Sequence, residues 1–267
     1  MRISVEVQRK RKSVRHEAFH LGEPSGEFYS HQSQDQGSPP TADLTTFYIR
    51  MYRDSDYHTV RDLFASDLQE HVPALRIYAL KHPQTTASLL ALALSLFLLF
   101  RSVLLSALVP MVCLAAGWVG VSGIYSAYIT QCLQLDMMDI QQAYMRKEGC
   151  YFWVVELNAE VVGMVAAAPP YNASDSFTVE LKRLSVKKEC RRLGIATALC
   201  KTVLNFAKDE GYKSVMLETS TMQLASIRLY EGIGFRKSHS TILPTFIGRI
   251  IQFYDISYKY ELSEWNR

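Results

Sequence analysis

From Pro83 to Leu135 the chain runs 53 residues with one charged side chain, Arg101. Helices that are apolar on every side need either lipid or a large protein interior around them. The stretch divides around Ser106 to Pro110 into two segments, Thr85 to Leu105 with 21 residues and Pro110 to Ile129 with 20. Each matches the ~20 residues with which a helix crosses a ~30 Å hydrocarbon core. Proline suits the first turn of a helix, where its missing N–H has no bond to lose, so Pro110 is expected to open the second helix. Arg101 then falls near the end of the first helix, within snorkelling reach of headgroups, and Tyr125 and Tyr128 fall at the opposite interface. The expectation is a membrane hairpin over 83 to 135. A hairpin buried in a soluble domain would need covering surfaces that the remaining chain is too short to supply.

That remainder fits one domain plus tails in a chain of 267 residues. With 29 basic and 26 acidic side chains the net charge of +3 does not mark a nucleic-acid binder, and no nucleic-acid partner is expected. Cys113, Cys132, Cys150, Cys190 and Cys200 form no Cys-x-x-Cys pair, so neither a zinc site, nor any other metal site, nor a disulfide framework is expected. No apolar segment follows the run Arg9-Lys10-Arg11-Lys12, which excludes a signal peptide and leaves a solvated basic cluster, with a membrane-surface patch or nuclear signal as the other readings. Residues 22 to 43 are rich in Ser, Gln, Gly and Pro without periodicity. Residues 1 to 44 therefore read as a disordered tail, and 263 to 267 as a short second tail.

The folded part is expected over 45 to 82 and 136 to 262, on either side of the hairpin. Before it, Phe47 to Tyr52 reads as a strand and Asp54 as the cap of a helix through Val60, Leu63, Phe64 and Leu68. After it come a helix over Met137 to Lys147, a strand pair Tyr151 to Glu156 and Val161 to Ala168, and a strand Ser176 to Val186. A helix Gly194 to Glu210 closed by Gly211 follows, then a strand Ser214 to Glu218, a helix Gln223 to Glu231, and strands Phe235 to Ser240 and Ile250 to Tyr260. The fold class is α/β, a mixed sheet interrupted by a hydrophobic helical hairpin.

Chemistry is legible where the strand ending at Val186 gives way to a basic loop and a helix beginning near Gly194. Backbone N–H groups at a helix N-terminus, approached closely through a glycine, form a pocket for phosphate oxygens, and flanking arginines add charge-assisted bonds. Leu184-Ser185-Val186 followed by Arg191-x-x-Gly194-x-Ala196 resembles motif A of the GCN5-related N-acetyltransferase superfamily. Ala225-x-x-x-Leu229-Tyr230-Glu231-x-x-Gly234-Phe235 resembles the next conserved segment of that superfamily, at the expected distance. With the hydrophobic insert, the resemblance narrows to the camello, or N-acetyltransferase 8, family. It covers about 45 to 75 and 136 to 262 and implies the mixed-sheet acetyltransferase (GNAT) fold.

The resemblance further implies acetyl-CoA as co-substrate and gives individual residues roles. The backbone of Leu184, Ser185 and Val186 would hold the acetyl carbonyl and the pantetheine arm, and Arg191, Arg192, Leu193, Gly194, Ile195 and Ala196 would hold the pyrophosphate. Tyr230 is placed like the superfamily's general acid for the departing thiolate, and otherwise reads as a core aromatic beside Leu224, Ile227 and Leu229. Glu180, four residues before Leu184 and on its face by the period of two, reads either as the base for the acceptor amine or as a surface glutamate, with Lys182 beside it. Acceptors in the resembling family are amino acids, cysteine S-conjugates and protein lysine side chains. Arg183 and Arg249 are available for an acceptor carboxylate, and lone His239 reads as solvated or structural. The expected function is a membrane-bound N-acetyltransferase, its alternative an inactive acyl-CoA-binding scaffold.

Strands of one sheet must lie on one side of a bilayer, so the insert is expected to cross an even number of times. Arg76, Lys81, Arg146 and Lys147 at its base outnumber Arg101 at its tip, which by the positive-inside rule places the domain in the cytosol; the membrane is expected to be that of the endoplasmic reticulum or Golgi. Asn172-Ala173-Ser174 is a glycosylation acceptor that tests this.

Overall fold

The computed structural model describes residues 2–8, 44–170, 177–244, 248–249 and 252–262. Its strands are β1 (Arg2–Gln8), β2 (Leu44–Met51), β3 (Tyr151–Leu157), β4 (Glu160–Ala168), β5 (Thr178–Val186), β6 (Ser214–Ser220), β7 (Arg236–Ile242) and β8 (Tyr254–Glu261). The helices are α1 (Tyr57–Gln69), α2 (His71–Lys81), α3 (Pro83–Phe100), α4 (Val103–Gln134), α5 (Ile195–Asp209) and α6 (Leu224–Ile233). One sheet runs in the order β1-β2-β3-β4-β5-β6-β8-β7. Every neighbouring pair is antiparallel except β5 and β6, which are joined through α5.

The central strands are apolar on both faces, which demands a layer on each side. Trp153, Val155, Val165 and Ala167 face α5, whose buried stripe is Ile195, Ala198, Leu199, Val203 and Ala207. Phe152, Val154, Met164 and Ala166 face the opposite way, against Val60, Leu63 and Phe64 of α1 and Cys132 of α4. Between α4 and β3 the chain makes a π-helical turn, Gln141–Met145, which brings Tyr144 into that second core. The longer helix expected over 137 to 147 is therefore not formed. Asp54 opens a single 3-10 turn and does not cap α1. Asp56 is the buried carboxylate there, accepting from the Arg53 N–H at 2.9 Å and from the Arg50 guanidinium at 2.7 and 2.9 Å.

The hairpin is present, but it breaks at a different place from the one its composition suggests. Arg101, in the left-handed conformation at φ 52°, caps α3, and Ser102 caps α4 by accepting the Leu105 N–H. Pro110 lies inside α4 and does not open it. α3 and α4 have mean hydropathies of 1.6 and 2.1 over their most apolar windows, and no residue of either window is buried. At ~1.5 Å per residue α3 is about 27 Å long, whereas α4 is about 48 Å and reaches on to the domain. The chain leaves from α2 and returns to β3, which pairs with β2 in the same sheet.

Residues 2–8, inside the segment expected to be a disordered tail, form β1 and pair antiparallel with β2 from Arg2↔Arg50 to Gln8↔Leu44. Arg9 to Lys12 and Asn172 lie outside the described residues.

Candidate active site

The parallel pairing of β5 with β6 ends at Leu181↔Leu217. Beyond it β6 stays paired with β8 on its other edge but no longer with β5, and the edge of β5 from 182 to 186 faces a gap. A cavity of ≈ 430 Å³ lies there, lined by Glu180, Lys182, Leu184 and Ser185 of β5, Glu218 of β6, Tyr230 of α6, Asp255 of β8, and Val121, Ile124, Tyr125 and Tyr128 of α4. The two tyrosines expected at a lipid interface thus form part of its wall.

On its other edge β5 carries a bulge. Ala166 pairs with Lys182 but Met164 pairs with Ser185, so Arg183 and Leu184 together oppose Val165. Arg183 has φ 58°, a left-handed conformation that costs a non-glycine residue about 1–2 kcal/mol. The extra residue reverses the alternation of faces. Leu184 and Val186 pack on the α5 side, whereas Ser185 turns to α1 and bonds Asp67. Glu180 and Leu184 therefore do not share a face, contrary to the simple period of two. Glu180 does share its face with Lys182, and their side chains pair at 3.0 Å.

Arg183 itself is not free to meet an acceptor carboxylate. Its Nε and Nη2 donate to the two Asp136 oxygens at 2.9 and 2.7 Å, its Nη1 lies 3.2 Å from Cys132 Sγ, and its plane stands 5.0 Å over the Phe64 ring. The Tyr144 hydroxyl donates to the same carboxylate. Burial pushes the Asp136 pKa up, but the bonds from Arg183 and Tyr144 outweigh it and hold the group below the usual carboxylate range. Arg249 is exposed and is not among the cavity's lining residues, and His239 is exposed on β7.

After Val186 comes the basic loop. Gly194, at φ 78°, is the N-cap of α5 and supplies no side chain, so the N–H groups of the helix's first turn stay open. Gly163 of β4 lets this helix end approach the sheet, since a Cβ there would meet Ile195 Cγ2 at 3.1 Å. Arg192, at φ 65°, is exposed. Leu193, Ile195 and Ala196 pack into the core. Arg191 does something its motif does not reveal. Its guanidinium bonds Asp67 at 2.9 Å and Glu70 at 3.0 Å, and its Nε donates to the Val186 carbonyl at 3.1 Å, tying the loop to α1. Burial raises the Asp67 pKa despite Ser185 and Arg191. Val186 and the loop from Arg191 to Ala196 lie outside the cavity lining, and continue the strand edge that borders it.

Tyr230 is 6% exposed, with its ring against Phe235 and Tyr258. Burial, then the neighbouring Cys200 and Asp67, push its pKa far up, so the phenol stays protonated. Among the cavity's lining residues, Glu218 has its pKa raised by partial burial and by the charges of Glu180 and Asp255. The sequence did not single out Asp67, Asp136, Glu218 or Asp255. Asp136 alone had a local signal, as the first charge after the apolar run.

A free strand edge leading to an uncapped helix N-terminus can hold an extended chain ending in phosphates, and the residues present fit coenzyme A. The Acetyltransferase (GNAT) family model matches residues 118–235. A probable N-acetyltransferase camello of Xenopus laevis is 39% identical over 80% of this chain and 97% of its own. N-acetyltransferase 8B of Rattus norvegicus is 36% identical over 81% of this chain and 99% of its own. Among solved structures, a GNAT acetyltransferase from Staphylococcus aureus Mu50 is similar with a TM-score of 0.49 at 16% identity, over 81% of this chain and 99% of that one.

Proposed function

The chain belongs to the GNAT acetyltransferases, among the camello and N-acetyltransferase 8 proteins, and from that membership we propose a membrane-bound enzyme that acetylates a primary amine. Membership makes it an acetyl-CoA-dependent N-acetyltransferase. The observation that carries the rest is that the free β5 edge and Tyr230 meet in one cavity, and that the same strand leads on, beyond the cavity, to the uncapped start of α5.

In this reading acetyl-CoA supplies an activated thioester, and the chain does the remainder. The N–H groups from Gly194 to Ala196, with Arg192, hold the pyrophosphate, while Arg191 keeps their loop seated on α1. Backbone N–H groups of the bulged strand at Leu184 and Val186 hold the acetyl carbonyl and the pantetheine arm. Glu180 takes the proton from the acceptor ammonium, and Tyr230 gives one to the departing thiolate. Its pKa, raised by burial, leaves Tyr230 in the donor form. The acceptor is an amino acid or cysteine S-conjugate, or a lysine side chain of a protein.

α3 and α4 cross the bilayer and return, supported by their exposed apolar surfaces and by the pairing of β2 with β3 on either side of the insert. In this reading the domain is cytosolic, a side supported by Arg76, Lys81, Arg146 and Lys147 at the base, and the membrane is that of the endoplasmic reticulum or Golgi. Incubating the membrane-embedded protein with acetyl-CoA and an amine library tests the activity. Amine-dependent release of free coenzyme A is expected, and acetyl-CoA binding without release would leave a scaffold.

A further inference from the structure

We propose that Arg183 is a positioning residue, which uses the end of the hydrophobic hairpin to hold the β5 bulge in the shape that presents the Leu184 backbone to the acetyl group. The proposal rests on the reading of β5 as the acetyl-CoA edge. Three observations lead to it. The bulge falls immediately after the last β5–β6 pair, Leu181↔Leu217, where the free edge begins. Its first residue is an arginine at φ 58°, a conformation that glycine takes freely and other residues resist. That arginine's polar partners come from the end of the hairpin: Asp136, just past α4, takes it in a two-pronged bond, and Cys132 of α4 lies at 3.2 Å, while Phe64 of α1 only packs against its plane.

The side chain and the backbone therefore restrain each other. With the guanidinium fixed to Asp136, the main chain at 183 is kept in the left-handed region and the faces of 184 to 186 are reversed. Tyr144, donating to Asp136 from the π-helical turn, fixes the carboxylate in turn. Tyr125 and Tyr128 on the same helix line the cavity. The hairpin is in this way a wall and a clamp of the active site as well as an anchor.

The test separates a restrained backbone from ordinary packing. Asp136→Asn is combined with Arg183→Ala or with Arg183→Gly, so that neither double variant leaves a buried charge unpaired. Glycine occupies φ 58° without strain, whereas alanine does not. Affinities for coenzyme A and for acetyl-CoA are measured on the full chain in nanodiscs, with kcat and KM on an accepted amine. For the alanine double variant we expect kcat lowered at least ~10-fold and the preference for acetyl-CoA over coenzyme A lost, because a misaimed donor forfeits much of the ~10²–10³-fold that one such bond contributes. Coenzyme A itself should bind within about threefold of wild type, since the pyrophosphate loop is anchored separately. The glycine double variant should recover most of both losses, and coenzyme A binding retained by glycine but lost by alanine also supports the proposal. Alanine equal to or better than glycine overturns it, as does loss of coenzyme A binding in both, which would make Arg183 a staple of the fold. A wild-type protein that binds no coenzyme A would instead overturn the underlying reading of the site.

Discussion

Tyr230 holds its ring against Phe235 and Tyr258 with centroids at 5.9 and 6.4 Å, so removing the hydroxyl alone leaves the packing in place. Tyr230→Phe is expected to lower kcat about 10²-fold while acetyl-CoA affinity changes less than about twofold, measured by single-turnover kinetics and calorimetry. An unchanged kcat would return the residue to the core. Since the phenol pKa is raised, the pH–rate profile should show no alkaline limb from it below about pH 10. Asp136 gives the opposite sign. Its folded pKa lies below the unfolded value of about 3.9, so its contribution to stability is present above roughly pH 5 and is lost as pH falls through the folded value. Thermal unfolding between about pH 3 and 6 should therefore be less pH-dependent in Asp136→Asn than in wild type. Equal slopes would show that Arg183 does not stabilise the ionised carboxylate.

Among the elements, α5 depends most on one position. Gly194 combines a left-handed φ of 78° with an N-cap that has no side chain. Gly194→Ala should cost about 1–2 kcal/mol of stability and weaken acetyl-CoA binding moderately, by about tenfold. Gly194→Glu brings a carboxylate to the place proposed for phosphate and should weaken binding by more than about 100-fold, with membrane insertion unchanged. Equal acetyl-CoA affinity in the glutamate variant would sink the assignment of this helix end. Arg191→Glu should be similarly severe for a different reason, because it sets a third carboxylate against Asp67 and Glu70, which now hold the guanidinium.

For the whole molecule, β2 precedes the hairpin and β3 follows it, and their pairing from Tyr48↔Glu156 to Met51↔Trp153 requires both on one side of any membrane. In sealed microsomes a protease added outside should cut the N-terminal segment and the catalytic domain alike, and Asn172 should carry no glycan in cells. A glycosylated Asn172 would place the domain in the lumen, and protection of one segment without the other would rule out the hairpin. Much of this architecture was legible in the sequence. The strands Tyr151–Leu157, Glu160–Ala168 and Ser214–Ser220 and the helix Ile195–Asp209 lie within a few residues of expectation, because their apolar spacing is local and strong. β1 was not legible, since the polar run after it masks a short pairing segment.

The sequence by itself determined the hydrophobic insert, the succession of most strands and helices from β3 onward, and the loop at Gly194, all of which follow from composition and spacing within a few turns of chain. Only the tertiary structure decided that the hairpin turns at Arg101, that Arg191 is held by α1, that the β5 bulge parts Glu180 from Leu184, and that Arg183 belongs to Asp136. All but the first depend on groups far apart in the chain, 47 residues for Arg183 and Asp136 and 124 for Arg191 and Asp67. A period of two cannot announce the residue that breaks it, because the break is set by the register of the neighbouring strand and by the partner that the displaced side chain finds.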